Sequence, residues 1–161
     1  LAIPSSGLHS NGYSLVRKLI NIKKINVNKN KFLKKELIKP TKIYVKEILN
    51  LMDNDLLNGC ANITGGGIVD NLKRILPNNL NAKIDLSKVN TLRIFRWLKN
   101  YHISDDEMLK TFNCGVGFCL IAKKTNYKNI KKYFSKSFSP YEIGYISKAN
   151  KKLNLYNKLK W

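Results

Sequence analysis

Acidic residues, cysteines and histidines are all scarce in this chain. Asp and Glu number 10 against 30 Lys and Arg, and the 161 residues include three Cys and two His. Cys60, Cys114 and Cys119 form no Cys-x2-Cys pair, and His9 and His102 no His-x3-His pair, so spacing excludes a Cys/His metal site. An odd set of thiols without a paired framework fits a reducing, cytoplasmic setting better than a secreted disulfide scaffold. No apolar run approaches the roughly 20 residues that cross a bilayer. The first residues lack the charged and apolar regions of a secretory signal. Leu1-Ala2-Ile3 reads as the tail of a strand, so the expectation is a single domain over residues 1–161 that is a fragment or one half of a longer protein.

Lysine is what abounds. The formal net charge is +20, yet only four of the 30 basic residues are arginine: Arg17, Arg74, Arg93 and Arg96. Such a charge invites a nucleic-acid or anionic-membrane reading. Dedicated DNA readers rely on Arg for bidentate contacts, whereas these lysines spread over residues 18–46 and 123–160 with no recognition-helix pattern. Lys, Asn, Ile, Tyr and Phe share A/T-rich codons, and the skew reads as genome composition acting on tolerant surface positions. No specific nucleic-acid partner and no membrane partner is expected.

Helical and strand patterns alternate, which predicts an α/β layered domain. Tyr13 to Ile22 places Leu15, Val16, Leu19 and Ile20 on one helical face. Residues 26–39, rich in Lys and Asn, read as a surface excursion. Thr41, after Pro40, is expected to start a helix reaching Leu57, with Val45, Ile48, Leu49, Met52 and Leu56 as its buried stripe. Cys60 to Thr64 reads as a short strand and Ile68 to Leu76 as a helix stopped by Pro77. Ala82 to Leu86 reads as a strand and Leu92 to Tyr101 as a helix. Ser104-Asp105-Asp106-Glu107 has the form of a capping box opening a short helix to Lys110. Val116 to Ala122, a near-continuous apolar run, is the expected central strand. Thr125 is expected to cap a helix to Lys136, and Tyr141 to Ser147 and Leu153 to Leu159 to finish as strands.

Two glycine loops carry the chemistry. Gly7-Leu8-His9-Ser10-Asn11-Gly12 packs two glycines, a histidine and small polar side chains ahead of a helical run. Glycine allows positive φ and close approach, Ser and Asn supply donors and acceptors, and the free N–H groups of a helix start favour an anion such as phosphate. The second loop, Thr64-Gly65-Gly66-Gly67, either holds phosphate on backbone N–H groups or serves as a plain strand-to-helix turn; its context favours the first. It is neither a Walker A loop nor the spaced glycine pattern of a dinucleotide fold. His9 is a candidate for phosphate contact or proton transfer, because imidazole titrates near neutral pH, with a structural loop role as the alternative. His102 reads as a solvated helix end. Cys114 has no adjacent base to activate it and reads as lining the site or packing, and Cys119 as core. Asp70 and Arg74, four apart, are placed to pair across one helical turn.

These stretches have a counterpart. Gly7 to Lys18, Pro40-Thr41-Lys42-Ile43-Tyr44-Val45-Lys46, Ile63 to Gly67 with Asp70 to Pro77, and Glu107-Met108 with Thr111 to Gly117 resemble, in that order, the C-terminal half of the phosphoribosylformylglycinamidine cyclo-ligase family, the aminoimidazole ribonucleotide synthetases. The resemblance runs from about residue 1 to Tyr141-Glu142-Ile143-Gly144. The family usually has Glu where Asp70 stands and Pro where Lys73 stands, so the carboxylate here has a shorter reach.

The resemblance implies a three-layer α/β/α domain with a mixed sheet, like the family's C-terminal domain. It implies ATP-dependent ring closure of formylglycinamidine ribonucleotide in purine biosynthesis, with ATP and Mg²⁺ held mostly by an N-terminal half absent from this chain. It implies a homodimer at full length and an inactive isolated fragment. By the same resemblance His9 is the catalytic candidate, and Ser6, Ser10, Asn11, Gly12, Thr64, Gly65, Gly66, Gly67, Asn71, Asn113 and Cys114 are the expected substrate and phosphate contacts, with no metal ligand among them. Two rivals stand beside it. One is another enzyme of the superfamily, of the formylglycinamidine ribonucleotide synthetase or selenophosphate synthetase type; His9-Ser10-Asn11-Gly12 with Phe112-Asn113-Cys114-Gly115 points away from these. The other is a non-catalytic basic binding module.

Overall fold

A computed structural model describes residues 1–150 and 152–161. In chain order they form β1 (Ala2–Pro4), α1 (Tyr13–Ile22), α2 (Lys31–Leu37), α3 (Val45–Asp53), β2 (Gly59–Asn62), α4 (Gly67–Ile75), β3 (Leu80–Asp85), α5 (Arg93–Lys99), α6 (Asp105–Thr111), β4 (Val116–Ile121), α7 (Tyr127–Lys131), β5 (Gly144–Lys148) and β6 (Leu153–Tyr156). The strands divide into two three-stranded sheets. In the first, β4 is the middle strand, antiparallel to β1 and β2. In the second, β3 is the middle strand, antiparallel to β5 and parallel to β6. The α/β class expected from the sequence is the one observed, with mixed pairing confined to the β3 sheet.

The apolar run 116–121 is explained by what covers it. Val116 and Cys119 belong to the larger core cluster with Ala2, Leu8, Phe95 and Phe112, whereas Leu120 joins Ile3, Tyr44, Ile48, Leu51, Ile130 and Phe134 on the opposite face. A strand covered on both faces needs apolar side chains at successive positions. Ser104 caps α6 by accepting the Glu107 N–H at 3.2 Å, one arm of the expected capping box. Among the described residues no helix is long and apolar enough to cross a membrane.

Four segments depart from the sequence reading. Residues 26–39 are not an excursion: a 3-10 turn at Val27–Lys29 leads into α2, whose Leu33 is fully buried. The Asn30 side chain accepts the Leu33 N–H at 3.0 Å, a local cap that outweighs the surrounding lysines. Helix α3 starts at Val45 rather than Thr41, because the Ser6 hydroxyl donates to Pro40 O at 2.8 Å and accepts the Lys42 N–H at 3.1 Å, pinning that segment outside the helix. Its expected stripe splits: Ile48 is buried and Leu56 half-buried, while Val45, Leu49 and Met52 are 60%, 51% and 53% exposed; Leu51, outside that stripe, is fully buried.

The lysine-rich helix to Lys136 shrinks to α7 between 3-10 turns at Lys124–Asn126 and Lys136–Phe138, and Thr125 lies inside the first turn. Its end tightens through three-residue bonds from Tyr133 N–H to Ile130 O and Phe134 N–H to Lys131 O. At the C-terminal side, Tyr141 makes a lone bridge to Ala2 and β5 begins only at Gly144, while β6 stops at Tyr156 before Asn157 turns to φ +59°.

Candidate functional site

The first glycine loop leaves β1 and ends at Gly12, which precedes α1 with φ 78°; the second ends at Gly66, which precedes α4 with φ 89°. Neither helix start receives a side-chain cap. The Gly67 N–H that opens α4 is taken by Thr64 O at 3.0 Å, and the other first-turn N–H groups have no capping side chain. A methyl on Gly12 would strike the Phe112 ring, so glycine is required there by both φ and space. The loops meet: a Cβ on Gly65 would lie 3.7 Å from Oδ1 of Asn11. Two uncapped helix starts thus open beside each other, an arrangement suited to phosphate or another oxyanion. Ser10 and Gly65 are exposed on this surface and Asn11 and Thr64 half-buried.

Behind it lies the scaffold. Asn113 is fully buried; its Nδ2 donates to Gly7 O at 2.9 Å and Leu8 O at 3.3 Å, and its Oδ1 accepts from Ser5 Oγ at 2.9 Å and Gly115 N–H at 2.8 Å. That amide is saturated and holds the first loop from below. Asn71 does the same for the second loop, donating to Gly67 O at 2.8 Å and Gly65 O at 3.2 Å and accepting from Thr64 Oγ1 at 3.1 Å. Cys114 is fully buried, its Sγ 3.4 Å from Met108 O, and burial, with Asp105 adding to it, pushes the thiol up to about 12. It is neutral and inert at ordinary pH. The structure thus gathers Ser6, Ser10, Asn11 and Gly12 with Thr64, Gly65 and Gly66 at one surface, and sets Gly67, Asn71, Asn113 and Cys114 behind it.

His9 sits between surface and scaffold, 7% exposed and with φ +58°. Its Nε2 accepts the Ser6 N–H at 3.1 Å, which assigns the proton of the neutral ring to Nδ1. Burial holds its pKa below the ordinary value. The ring rests over Gly117, the residue skipped where the pairing slips between Ile3–Phe118 and Pro4–Val116. A Cβ on Gly117 would come 2.9 Å from His9 Cε1 and strike the Tyr44 hydroxyl. Tyr44, buried, donates to Pro4 O at 2.8 Å, and Lys42 lies 5.8 Å from its ring centre while pairing with Glu47 at 2.7 Å. Tyr44 and Gly117 are the positions that sequence reasoning misses. The Pro40 to Lys46 motif carries the signal for Tyr44, but helical periodicity obscures it.

Asp70 packs against Gly66, and among the described residues no ion pair joins it to Arg74. His102 is exposed at the end of α5. Among the described residues no group of three or more His, Cys, Asp and Glu is placed to hold a metal ion.

Fold and loops together define an α/β domain in which two glycine loops, each leading into a helix, meet at Asn11 and Gly65. Comparison with known proteins makes the class specific. The family described as AIR synthase related protein, C-terminal domain, matches residues 1–154, and the chain belongs to it. The chain is 43% identical over 153 residues to the phosphoribosylformylglycinamidine cyclo-ligase of Streptococcus pneumoniae strain Taiwan19F-14, and 42% identical to those of strains TIGR4 and Hungary19A-6. Each alignment covers 92% of this chain and 44% of the relative, so the chain spans less than half the length of these enzymes.

Proposed function

We propose that the chain acts as one domain, the C-terminal half of an ATP-dependent cyclo-ligase that closes formylglycinamidine ribonucleotide to aminoimidazole ribonucleotide. The observation that carries this reading is the meeting of two uncapped helix starts at Asn11 and Gly65 in a chain of this family. A ribonucleotide brings a phosphate, and backbone N–H groups at helix starts hold phosphate without a metal.

In the reaction, ATP phosphorylates the amide oxygen, which is otherwise a poor leaving group; the amidine nitrogen then attacks that carbon and expels phosphate. This chain's share is to hold the substrate phosphate on the first-turn N–H groups of α1 and α4, with Ser10, Asn11 and Thr64 orienting the ribonucleotide. Ser6 fixes the loop to Pro40 and Lys42, and His9 offers Nδ1–H as a donor while its Nε2 stays bonded to Ser6. Asn71, Asn113 and Cys114 act by positioning. Mg²⁺ neutralises phosphate charge in such transfers, and its ligands belong to the other half.

The exposed Ile43, Val45, Leu49 and Met52, beside a groove of about 370 Å³ that reaches Phe118, support a face covered by that half. A homodimer at full length and a cytoplasmic setting belong to the same reading. The test is phosphate release from Mg-ATP with formylglycinamidine ribonucleotide, for the chain alone and with the N-terminal half of a Streptococcus pneumoniae relative fused to it. Turnover is expected only in the fusion. Turnover by residues 1–161 alone would overturn the placement of the nucleotide site, and a folded but inactive fusion would overturn the cyclo-ligase reading.

A further inference from the structure

Strand β1 is already paired at the first residue. The Leu1 amino group donates to Leu120 O at 2.7 Å and the Leu120 N–H donates to Leu1 O at 2.8 Å, so the two residues exchange both bonds of an antiparallel pair. Ile121 faces the other neighbour, its carbonyl taken by Asn58 N–H at 2.8 Å. By the alternation of the ladder, Ala122 turns its N–H and C=O to the side along which β1 would continue, and among the described residues no strand pairs with it there. This edge lines a cleft of about 690 Å³ between the two sheets, walled also by Leu80, Ala82, Ile84, Ile143 and Ile146. The Leu1 ammonium is buried in the same place, and burial holds its pKa below the ordinary value. A peptide N–H at that point would have no charge to desolvate.

We propose that this cleft is the seat of the polypeptide that precedes the domain in the longer family members: at least two residues before Leu1 extend β1 along β4, pair with Ala122 and fill the space between the sheets. The matched region is 44% of the relatives' length and the family is a C-terminal domain, so their chain runs into this edge from upstream. An unpaired edge beside apolar pockets is what an added strand recognises. Alternation then sets the chemistry. Ala2 points into the larger cluster with Ala82 and Ile84, while Leu1 packs against the other cluster. The register places the residue directly before Leu1 opposite Ile121, which with Cys119 lines the cleft, so it points to that side and is apolar. This inference rests on family membership and not on the ring-closing reading, so the two fail separately.

The test is amide exchange on the chain as given and on a version carrying five alternating Val and Thr residues before Leu1, with Val directly before it. Exchange at Ala122 is expected to slow at least tenfold in the extended chain, and to return to the original rate when Asp stands directly before Leu1. Equal exchange at Ala122 with and without the Val/Thr extension would overturn the proposal, as would slowing that the Asp version retains. Slowing that grows with protein concentration would also overturn it by showing a second copy on the edge.

Discussion

The Ser6 N–H donates to Nε2 of His9 at 3.1 Å, so the first loop is closed on its own histidine, and only the ring with an unprotonated Nε2 can accept that bond. Burial lowers the pKa of His9 below the ordinary 6.5. Below that ordinary value the unfolded chain binds more protons than the folded one. Stability present above about pH 6.5 is therefore lost as pH falls through the folded pKa. The melting temperature is expected to drop between pH 7.5 and pH 5, with part of the drop missing in His9→Gln, whose amide oxygen still accepts a hydrogen bond. Identical pH profiles would remove His9 from this role.

Asn113→Ala strips the Gly7 and Leu8 carbonyls, the Ser5 hydroxyl and the Gly115 N–H of one buried amide. With about 1 kcal/mol per bond and more for each group left unsatisfied, the expected loss is about 3 kcal/mol or more. For a domain of this size that lowers the melting temperature by roughly 6–12 °C. A loss under about 1 kcal/mol would mean that water replaces the amide.

Gly117→Ala drives a methyl into the Tyr44 hydroxyl and against His9 Cε1. The expected cost is about 1–3 kcal/mol, as for other overpacked sites. In a Tyr44→Phe background the same change should cost less, because part of the obstacle is gone, and a double-mutant cycle by thermal or urea melts reads the coupling. Strictly additive costs would show that the added methyl and the Tyr44 hydroxyl do not compete for this space.

Val45→Ser with Leu49→Ser alters side chains that are 60% and 51% exposed. Stability of the chain should change by no more than about 0.5 kcal/mol per site. Association with the N-terminal half of a relative, read by titration calorimetry or complementation of activity in trans, should weaken. Unchanged association would move that interface to another face.

Ser10→Ala and Asn11→Ala, in an enzyme with both halves present, are expected to raise KM for the ribonucleotide with the melting temperature unchanged. A hydrogen bond to a charged group is worth about 1.5–3 kcal/mol, which is roughly 10- to 100-fold. Unaltered KM and kcat in both variants would take the first loop out of the site.

Much of this was legible locally. Helices α1, α4, α5 and α6 and strand β4 have their own periodicity or caps, which act within a few residues and need no partner to be recognised. Helix α2 was hidden because lysines dominate its composition, while its start depends on one asparagine, Asn30, bonding to Leu33. Helical spacing gives Val45, Ile48, Leu49, Met52 and Leu56 one face, yet burial depends on what packs there, and of these only Ile48 and Leu56 meet the cluster around Leu120.

The sequence by itself determined the two glycine loops, in which Gly12 and Gly66 take positive φ, and the family to which the chain belongs. Those features reside in single residues and short motifs. Only the tertiary structure decided which polar side chains face a ligand and which face inward. Ser10 and Asn113 are both plausible contacts in one dimension. Asn113 is withdrawn because its amide meets the Gly7 carbonyl across 106 residues of chain, and a buried amide with every donor and acceptor engaged has nothing left to offer a ligand.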